Sequence, residues 1–287
     1  MIRTKSVKQS VLIMVSFIVC IISMGCTKNE VTKPDQTSTE QLTAVTNTEA
    51  LTTEKETDTE TIMEEIIQDN THNIFRGIIG ESEVKMNIRR EGNSLTAAYI
   101  TRTDDEKIFD GEMISPTEFA LNDNEGGYLK GTIGTIYDSI LKGNGNISGK
   151  NVTFTMHSIT FFPIGYDHDD YYSGTRWGGP KTSMKVENFA RQIKESVTDK
   201  EKFIKLFKYP LVIRVDGEVI PVQNEDEMSE QYDTLFVEAD FRDQIETMYT
   251  KYLFVNYQGV CVENGILWFS QYDEGDFRIT AINYHRR

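Results

Sequence analysis

The sequence predicts an α+β protein: an N-terminal all-β antiparallel meander, barrel-like, followed by a mixed helix-and-strand unit. Three observations lead there. Between about residues 73 and 164, large apolar residues recur at every second position, the period of strands with one buried face. From about residue 185 the spacing changes to i, i+3, i+4 and i+7, the period of an amphipathic helix. From Leu253 the pattern returns to short apolar runs of strand length.

The chain opens with Arg3, Lys5 and Lys8, continues through an apolar run from Val11 to Ile22, and reaches Ser23-Met24-Gly25-Cys26. A run of about 12 apolar residues suits the hydrophobic region of an export signal and falls short of the roughly 20 that span a bilayer as a helix. This order of basic, apolar and small residues ending in cysteine resembles the signal peptide of bacterial lipoproteins. The resemblance implies that residues 1–25 are removed and that Cys26 is the lipidation site, carrying a diacylglycerol thioether. It places the protein at the extracytoplasmic face of a bacterial cell membrane, its membrane partner reached through the lipid anchor. One acyl chain holds only marginally, whereas the mature anchor of that family has two or three.

The chain has 45 acidic and 30 basic residues, a net charge of −15. Loss of residues 1–25 removes three cations and no acid, leaving about −18 on the mature chain. Such a surface repels nucleic acid, whose binding needs Lys and Arg to displace counterions. No nucleic-acid partner is expected. Of the 3 cysteines, Cys20 leaves with the signal and Cys26 is lipidated, so Cys261 stands alone and no internal disulfide forms. Stability therefore comes from packed cores. Cys261, within Val260-Cys261-Val262, reads as a small buried hydrophobe.

Residues 26–72 are rich in Thr and Glu and poor in large apolar side chains, a composition that cannot offset chain entropy. They are expected to form a disordered tether with a reach of roughly 35–40 Å. Residues 73–164 form the predicted β-meander. Val84, Met86 and Ile88 alternate with polar neighbours, as do Leu95, Ala97 and Tyr99, then Phe119 and Leu121, then Val152, Phe154 and Met156. Turn signals such as Glu91-Gly92-Asn93, Gly143-Asn144-Gly145 and Ser148-Gly149-Lys150-Asn151 separate them.

Residues 165–184 read as an irregular connector, rich in aromatics and acids, between two separable units. Beyond it, Val186, Phe189, Ala190, Ile193 and Val197 share one helix face. Thr198-Asp199-Lys200-Glu201 suggests a capping box for a second helix, carried through Phe207 and ended by Pro210. A hairpin about Asp216-Gly217 follows, then further helical segments through Met228 and Ile245, and finally strands with a type I′ turn at Asn264-Gly265. This order, with Tyr209-Pro210-Leu211, Phe254-Val255-Asn256-Tyr257-Gln258-Gly259-Val260 and Asn264-Gly265-Ile266-Leu267-Trp268-Phe269, resembles extracytoplasmic proteins of the NTF2-like (cystatin-like cone) superfamily over 185–287. The resemblance implies a curved sheet wrapped by helices around a cone-shaped cavity. It implies no reaction, because that fold hosts enzymes and binders alike.

Candidate chemistry is sparse. Asp167-His168-Asp169-Asp170 lacks the ligand spacing of a calcium loop, and neighbouring positions diverge, so a solvated acidic loop is expected and no metal. Beyond the connector there is one histidine, His285, near the C-terminal end of the sequence, and the acids Glu218, Glu263 and Asp273 fall at turns or polar strand faces. No catalytic residue and no cofactor are assigned. Trp268 and Phe254 read as core aromatics, Tyr257 as a further aromatic of the same strands, and Trp177 as an interdomain cap or an exposed anchor. The expectation is a lipid-anchored, non-catalytic binding or accessory module, with a protein or small-molecule ligand of unspecified identity. The alternatives are a small-molecule enzyme using the cone and a structural envelope component.

Replacing Cys26→Ala should release the protein from the membrane fraction and leave its melting curve unchanged. Fatty-acid labelling that finds no lipid on the wild-type protein contradicts the anchor.

Overall fold

The computed structural model describes residues 66–134, 139–167, 170–175, 182–233, 239–273 and 276–285. The signal, Cys26 and most of the expected tether lie outside these residues.

Eight strands follow one another: β1 (Thr71–Ile79), β2 (Ser82–Glu91), β3 (Ser94–Thr101), β4 (Glu106–Ser115), β5 (Glu118–Asn122), β6 (Tyr128–Ile133), β7 (Ile140–Ile147) and β8 (Lys150–Pro163). Each pairs antiparallel with the next, and β8 closes on β1. Closure leaves no strand edge open to another chain. The alternating residues point inward: Val84, Met86, Ile88, Leu95, Ala97, Phe119, Leu121, Phe154 and Met156 are all buried.

Glycines at inward positions make room for rings. A Cβ at Gly131 would lie 2.7 Å from the Phe154 ring and 3.0 Å from the Phe119 ring. At Gly143 it would lie 2.6 Å from the Phe154 ring and 2.1 Å from the Lys130 carbonyl oxygen. Small residues opposite large ones fill an eight-stranded barrel with side chains. Outside, Lys130, Thr132, Lys142 and Asn144 are exposed. That polarity is the reverse of a membrane-spanning barrel, which faces lipid with apolar residues.

The rest of the chain forms helices α1 (Thr182–Ser196) and α2 (Lys200–Ile204), strands β9 (Phe207–Val215) and β10 (Glu218–Val222), helices α3 (Glu225–Gln231) and α4 (Ala239–Glu246), and strands β11 (Phe254–Asn256), β12 (Gly259–Val262), β13 (Leu267–Asp273) and β14 (Asp276–Tyr284). The sheet order is β10-β9-β14-β13-β12-β11, antiparallel except for the parallel β9–β14 pair.

This corrects the expected α+β class. The chain is mostly β, with a closed barrel, a second sheet and only four α-helices among the described residues, and residues 185–287 do not form an NTF2-like α+β cone. The reason lies in how far the helical patterns run. The α2 helix stops at Ile204, because Phe207, Leu211, Ile213 and Val215 are buried as strand residues of β9. Its N-cap is Asp199, whose carboxylate accepts from the Lys202 amide at 3.2 Å, not Thr198. Pro210 lies inside β9 and does not end a helix. Pairing with β14 jumps there from Ile279↔Phe207 to Ala281↔Val212, so the residue without an N–H falls in a bulge. The turn at Asn264 is also wider than expected. Val262 pairs with Leu267, and Glu263, Asn264 and Gly265 all adopt positive φ.

The buried face of α1 (Val186, Phe189, Ala190, Ile193) packs on the second sheet, with Phe189 5.1 Å from Phe269 between ring centroids. This second core also takes in Ile74 and Ile100 from the outer wall of the barrel. Strands β1 to β3 are thus buried on both faces along part of their length, and the described residues belong to one compact unit.

Gly143→Ala should cost about 1–3 kcal/mol of stability, because the methyl group overpacks a filled barrel. Denaturant unfolding checks this; a loss below about 0.5 kcal/mol would mean that the barrel interior has slack.

Candidate functional site

Strand register sets out the barrel's outer wall in rows. Lys85 pairs with Ile100, which pairs with Glu106; next come Ile74, Asn87, Ala98 and Ile108; then His72, Arg89 and Thr96. Ile74 and Ile100 carry the second core, so His72, Asn87 and Thr96 fall along its margin. From the other side come Tyr171, Ser183 and Glu187 with the pair Lys251-Tyr252, and between the two walls lies a cleft of about 400 Å³. A larger hollow of about 560 Å³ lies over β5 to β7 beside Lys130 and Lys142. No buried unpartnered polar side chain among the described residues lines it, so the chemistry favours the first cleft.

His72 and Asn87 form its floor. His72 is 3% exposed and Asn87 9%. Their one mutual hydrogen bond joins Asn87 Nδ2 to His72 Nδ1 at 3.1 Å. His72 Nε2 and Asn87 Oδ1 are buried without a protein partner. Each such group costs about 1–3 kcal/mol when unmet. Burial lowers the His72 pKa from 6.5 to about 4, against the hydrogen bond from Asn87, with the Arg89 charge adding to the fall and Asp170 and Glu91 opposing it. The imidazole is therefore neutral at physiological pH. The Tyr171 ring stands edge-on to it, 5.4 Å between centroids.

Loop residues hold this wall in place. The Tyr172 hydroxyl accepts from the Leu253 amide at 3.0 Å. Asp170, 6% exposed, accepts from the Tyr172 amide at 3.0 Å and from the Ser183 amide and hydroxyl at 3.1 and 2.6 Å, tying the loop to the start of α1. The expected solvated acidic loop is therefore only partly so: Asp167 is exposed, but Asp170 is a buried cap. His168, Asp169 and Trp177 lie outside the described residues.

The opposite edge is ionic. Lys251 Nζ lies 2.7 Å from Glu106 and 3.6 Å from Glu187, and the Tyr252 hydroxyl donates to Glu106 at 3.0 Å. Burial raises the Glu187 pKa from 4.5 to about 7, with the Glu106 charge assisting and Lys251 and Arg191 opposing.

Next to the cleft, a second cluster locks the barrel to the sheet. The buried Tyr249 ring has Arg76, Lys85 and Arg102 at 5.5, 5.1 and 4.8 Å from its centre. Glu263 reaches Arg76 at 3.5 Å and accepts from the Tyr249 amide at 3.2 Å. Burial lowers the Lys85 amine to about 8 and raises the Cys261 thiol to about 11, so Cys261 is an unreactive thiol.

The residues singled out in the sequence lie elsewhere. Tyr257 is 72% exposed, and Phe254, 38% exposed, stacks edge-on with the half-buried Trp268 at 6.4 Å, so neither of these two is a full core residue. Glu218 and His285 are exposed. Among the described residues, no group of three His, Cys, Asp or Glu side chains is placed to hold a metal ion. The cleft residues His72, Asn87, Glu106, Glu187 and Lys251 carry no motif. The one signal was His-Asn-Ile-Phe at 72–75, where both faces of a strand turn unusually apolar and uncharged. The chain matches no protein-family model, and neither the curated proteins nor the solved structures give a match.

His72 and Glu187 give opposite pH dependences. An unfolded His72 takes up its proton near pH 6.5 but the folded one only near 4, so its share of stability is lost as pH falls between those values. Glu187 is held protonated in the fold up to about pH 7 against 4.5 when unfolded, so its share is lost as pH rises through that window. Relative to wild type, His72→Phe should gain up to about 3 kcal/mol between pH 6.5 and 4, and Glu187→Gln a similar amount between pH 4.5 and 7. Parallel stability curves for wild type and both variants would show that these groups are not buried as described.

Proposed function

We propose that this chain is a lipid-anchored extracytoplasmic binding protein and that the cleft between the barrel wall and α1 takes a small polar molecule. The His72–Asn87 floor carries the reading. His72 and Asn87 line a cleft of about 400 Å³, and their Nε2 and Oδ1 atoms are buried without protein partners. Concave sites with a few convergent polar groups are where small molecules bind. The lipoprotein-like segment ending at Cys26 supports location at the membrane surface, with the acidic charge keeping the folded part off anionic lipid.

An enzymatic reading has one observation in its favour: Glu187, protonated up to about pH 7, sits beside Lys251 and Glu106, a poise suited to general acid catalysis. Recovery of bound compounds unchanged supports the binder. A chemical change lost in Glu187→Gln supports the enzyme.

The test is a panel of polar fragments screened by ligand-observed NMR against the full chain in detergent. Binders should be lost at least tenfold in Ala98→Phe, which fills the cleft, and in Thr96→Trp, which narrows it from the exposed side. An absence of binders, or binding indifferent to both variants, overturns the reading.

A further inference from the structure

We propose that Lys85 is a modification site for carbon dioxide, its amine forming a carbamate that Arg76 and Arg102 hold by charge. The site belongs to the cluster around Tyr249, apart from the cleft, and stands independently of the binding reading above.

Strand register sets Lys85 directly opposite Arg76 in the β1–β2 pair, where like charges repel. Arg102, just past the end of β3, joins them over the same Tyr249 ring. The three cations are not equally served. Arg76 reaches Glu263 at 3.5 Å, and Arg102 reaches Glu83 at 2.8 Å and Glu263 at 3.9 Å. Lys85 Nζ lies 5.1 Å from the ring centre and, among the described residues, has no hydrogen bond and no ion pair. The Glu83 side chain is 57% exposed and screened by water, whereas that of Glu263 is 10% exposed. The enclosed part of the cluster therefore sets two guanidiniums and an ammonium against one carboxylate.

Burial lowers the Lys85 amine to about 8, against the pull of Glu263 and with the help of Arg76 and Arg102. The Cys261 thiol, raised to about 11, and the Tyr249 hydroxyl, raised by its own burial, face the amine uncharged at neutral pH. At pH 7.5 roughly a quarter of such an amine is unprotonated, against about one in a thousand for an ordinary lysine. Only the free amine reacts. Its lone pair attacks the carbon of carbon dioxide, a C–N bond forms as one C–O π bond opens onto oxygen, and a nitrogen proton passes to water: R–NH2 + CO2 → R–NH–COO− + H+. The product reverses the charge, so the two guanidiniums that disfavour the ammonium attract the carbamate. Two guanidiniums then face two anions, and the enclosed charges balance. Lys85 keeps part of its surface in solvent, and carbon dioxide is a small, uncharged reagent that can reach it without displacing the arginines.

The full chain in detergent, equilibrated with dissolved carbon dioxide, is treated with a trialkyloxonium salt, which converts a carbamate into a stable ester that mass spectrometry of its peptides locates. Lys85 should carry the ester at an occupancy at least tenfold above that of the exposed Lys142. At constant dissolved carbon dioxide the occupancy should fall as the pH drops below about 8. Arg76→Gln should lower it at least threefold, and Arg76→Lys, which keeps the charge, should hold it within threefold of the wild-type value. Wild-type Lys85 esterified no more than Lys142 overturns the proposal. So does an occupancy that Arg76→Gln leaves unchanged, since the carbamate would then owe nothing to the cluster.

Discussion

A closed barrel has no strand edges, so a second sheet can attach to it only through the outward side chains of its wall. Here that constraint falls on β1 to β3. Their inward residues fill the barrel, and Ile74 and Ile100 on the outside enter the core of the second sheet. Burying a wall on both faces traps polar groups that a solvated wall would have left in water. Several are met: Asp104 by Lys194 at 3.0 Å and Thr250 at 2.7 Å, Glu106 by Lys251 and Tyr252. The Tyr249 ring lies against Arg76, Lys85 and Arg102, but its hydroxyl is buried without a partner. His72 and Asn87, at the margin, are met only in part. The cleft is the place where the two walls stop fitting.

That origin explains its chemistry. Desolvation by the packed walls favours the uncharged forms of His72 and Glu187 over overlapping pH ranges, and their effects on stability run in opposite directions. His72, Asn87, Glu106 and Glu187 of this site stand on strands and a helix, while Tyr171, Lys251 and Tyr252 come from the connecting segments.

How much of this could be read from the sequence depended on side-chain size. Strands were legible where every inward position was large, as at Val84-x-Met86-x-Ile88. They were hidden where glycine took the inward position to admit a ring from across the barrel, as at Leu129-x-Gly131-x-Ile133 and Leu141-x-Gly143-x-Gly145. The helical period of Val186 to Ile193 was real, but the pattern from Phe203 to Phe207 crosses from α2 into β9, and periodicity alone cannot locate that change. The cleft was not legible at all. His72 fell at the end of a segment whose composition suggested disorder, and Asn87, Glu106, Glu187 and Lys251 meet only through barrel closure and the packing of the second sheet. The buried roles of Asp170 and Glu263 were concealed for the same reason, since a carboxylate in a turn looks solvated until its distant partner is known.

The central claim is that the barrel wall and the second sheet fold as one cooperative body, with the cleft as their seam. Native-state hydrogen exchange on the full chain tests it most directly. Amides of β2 and of β13 should exchange through the same global opening, and Tyr249→Ala, which removes the ring shared by three cations, should lower the protection of both by the same factor. Barrel amides that keep their protection in Tyr249→Ala while β13 amides lose theirs would mean two independent units, and the seam would not be a built site.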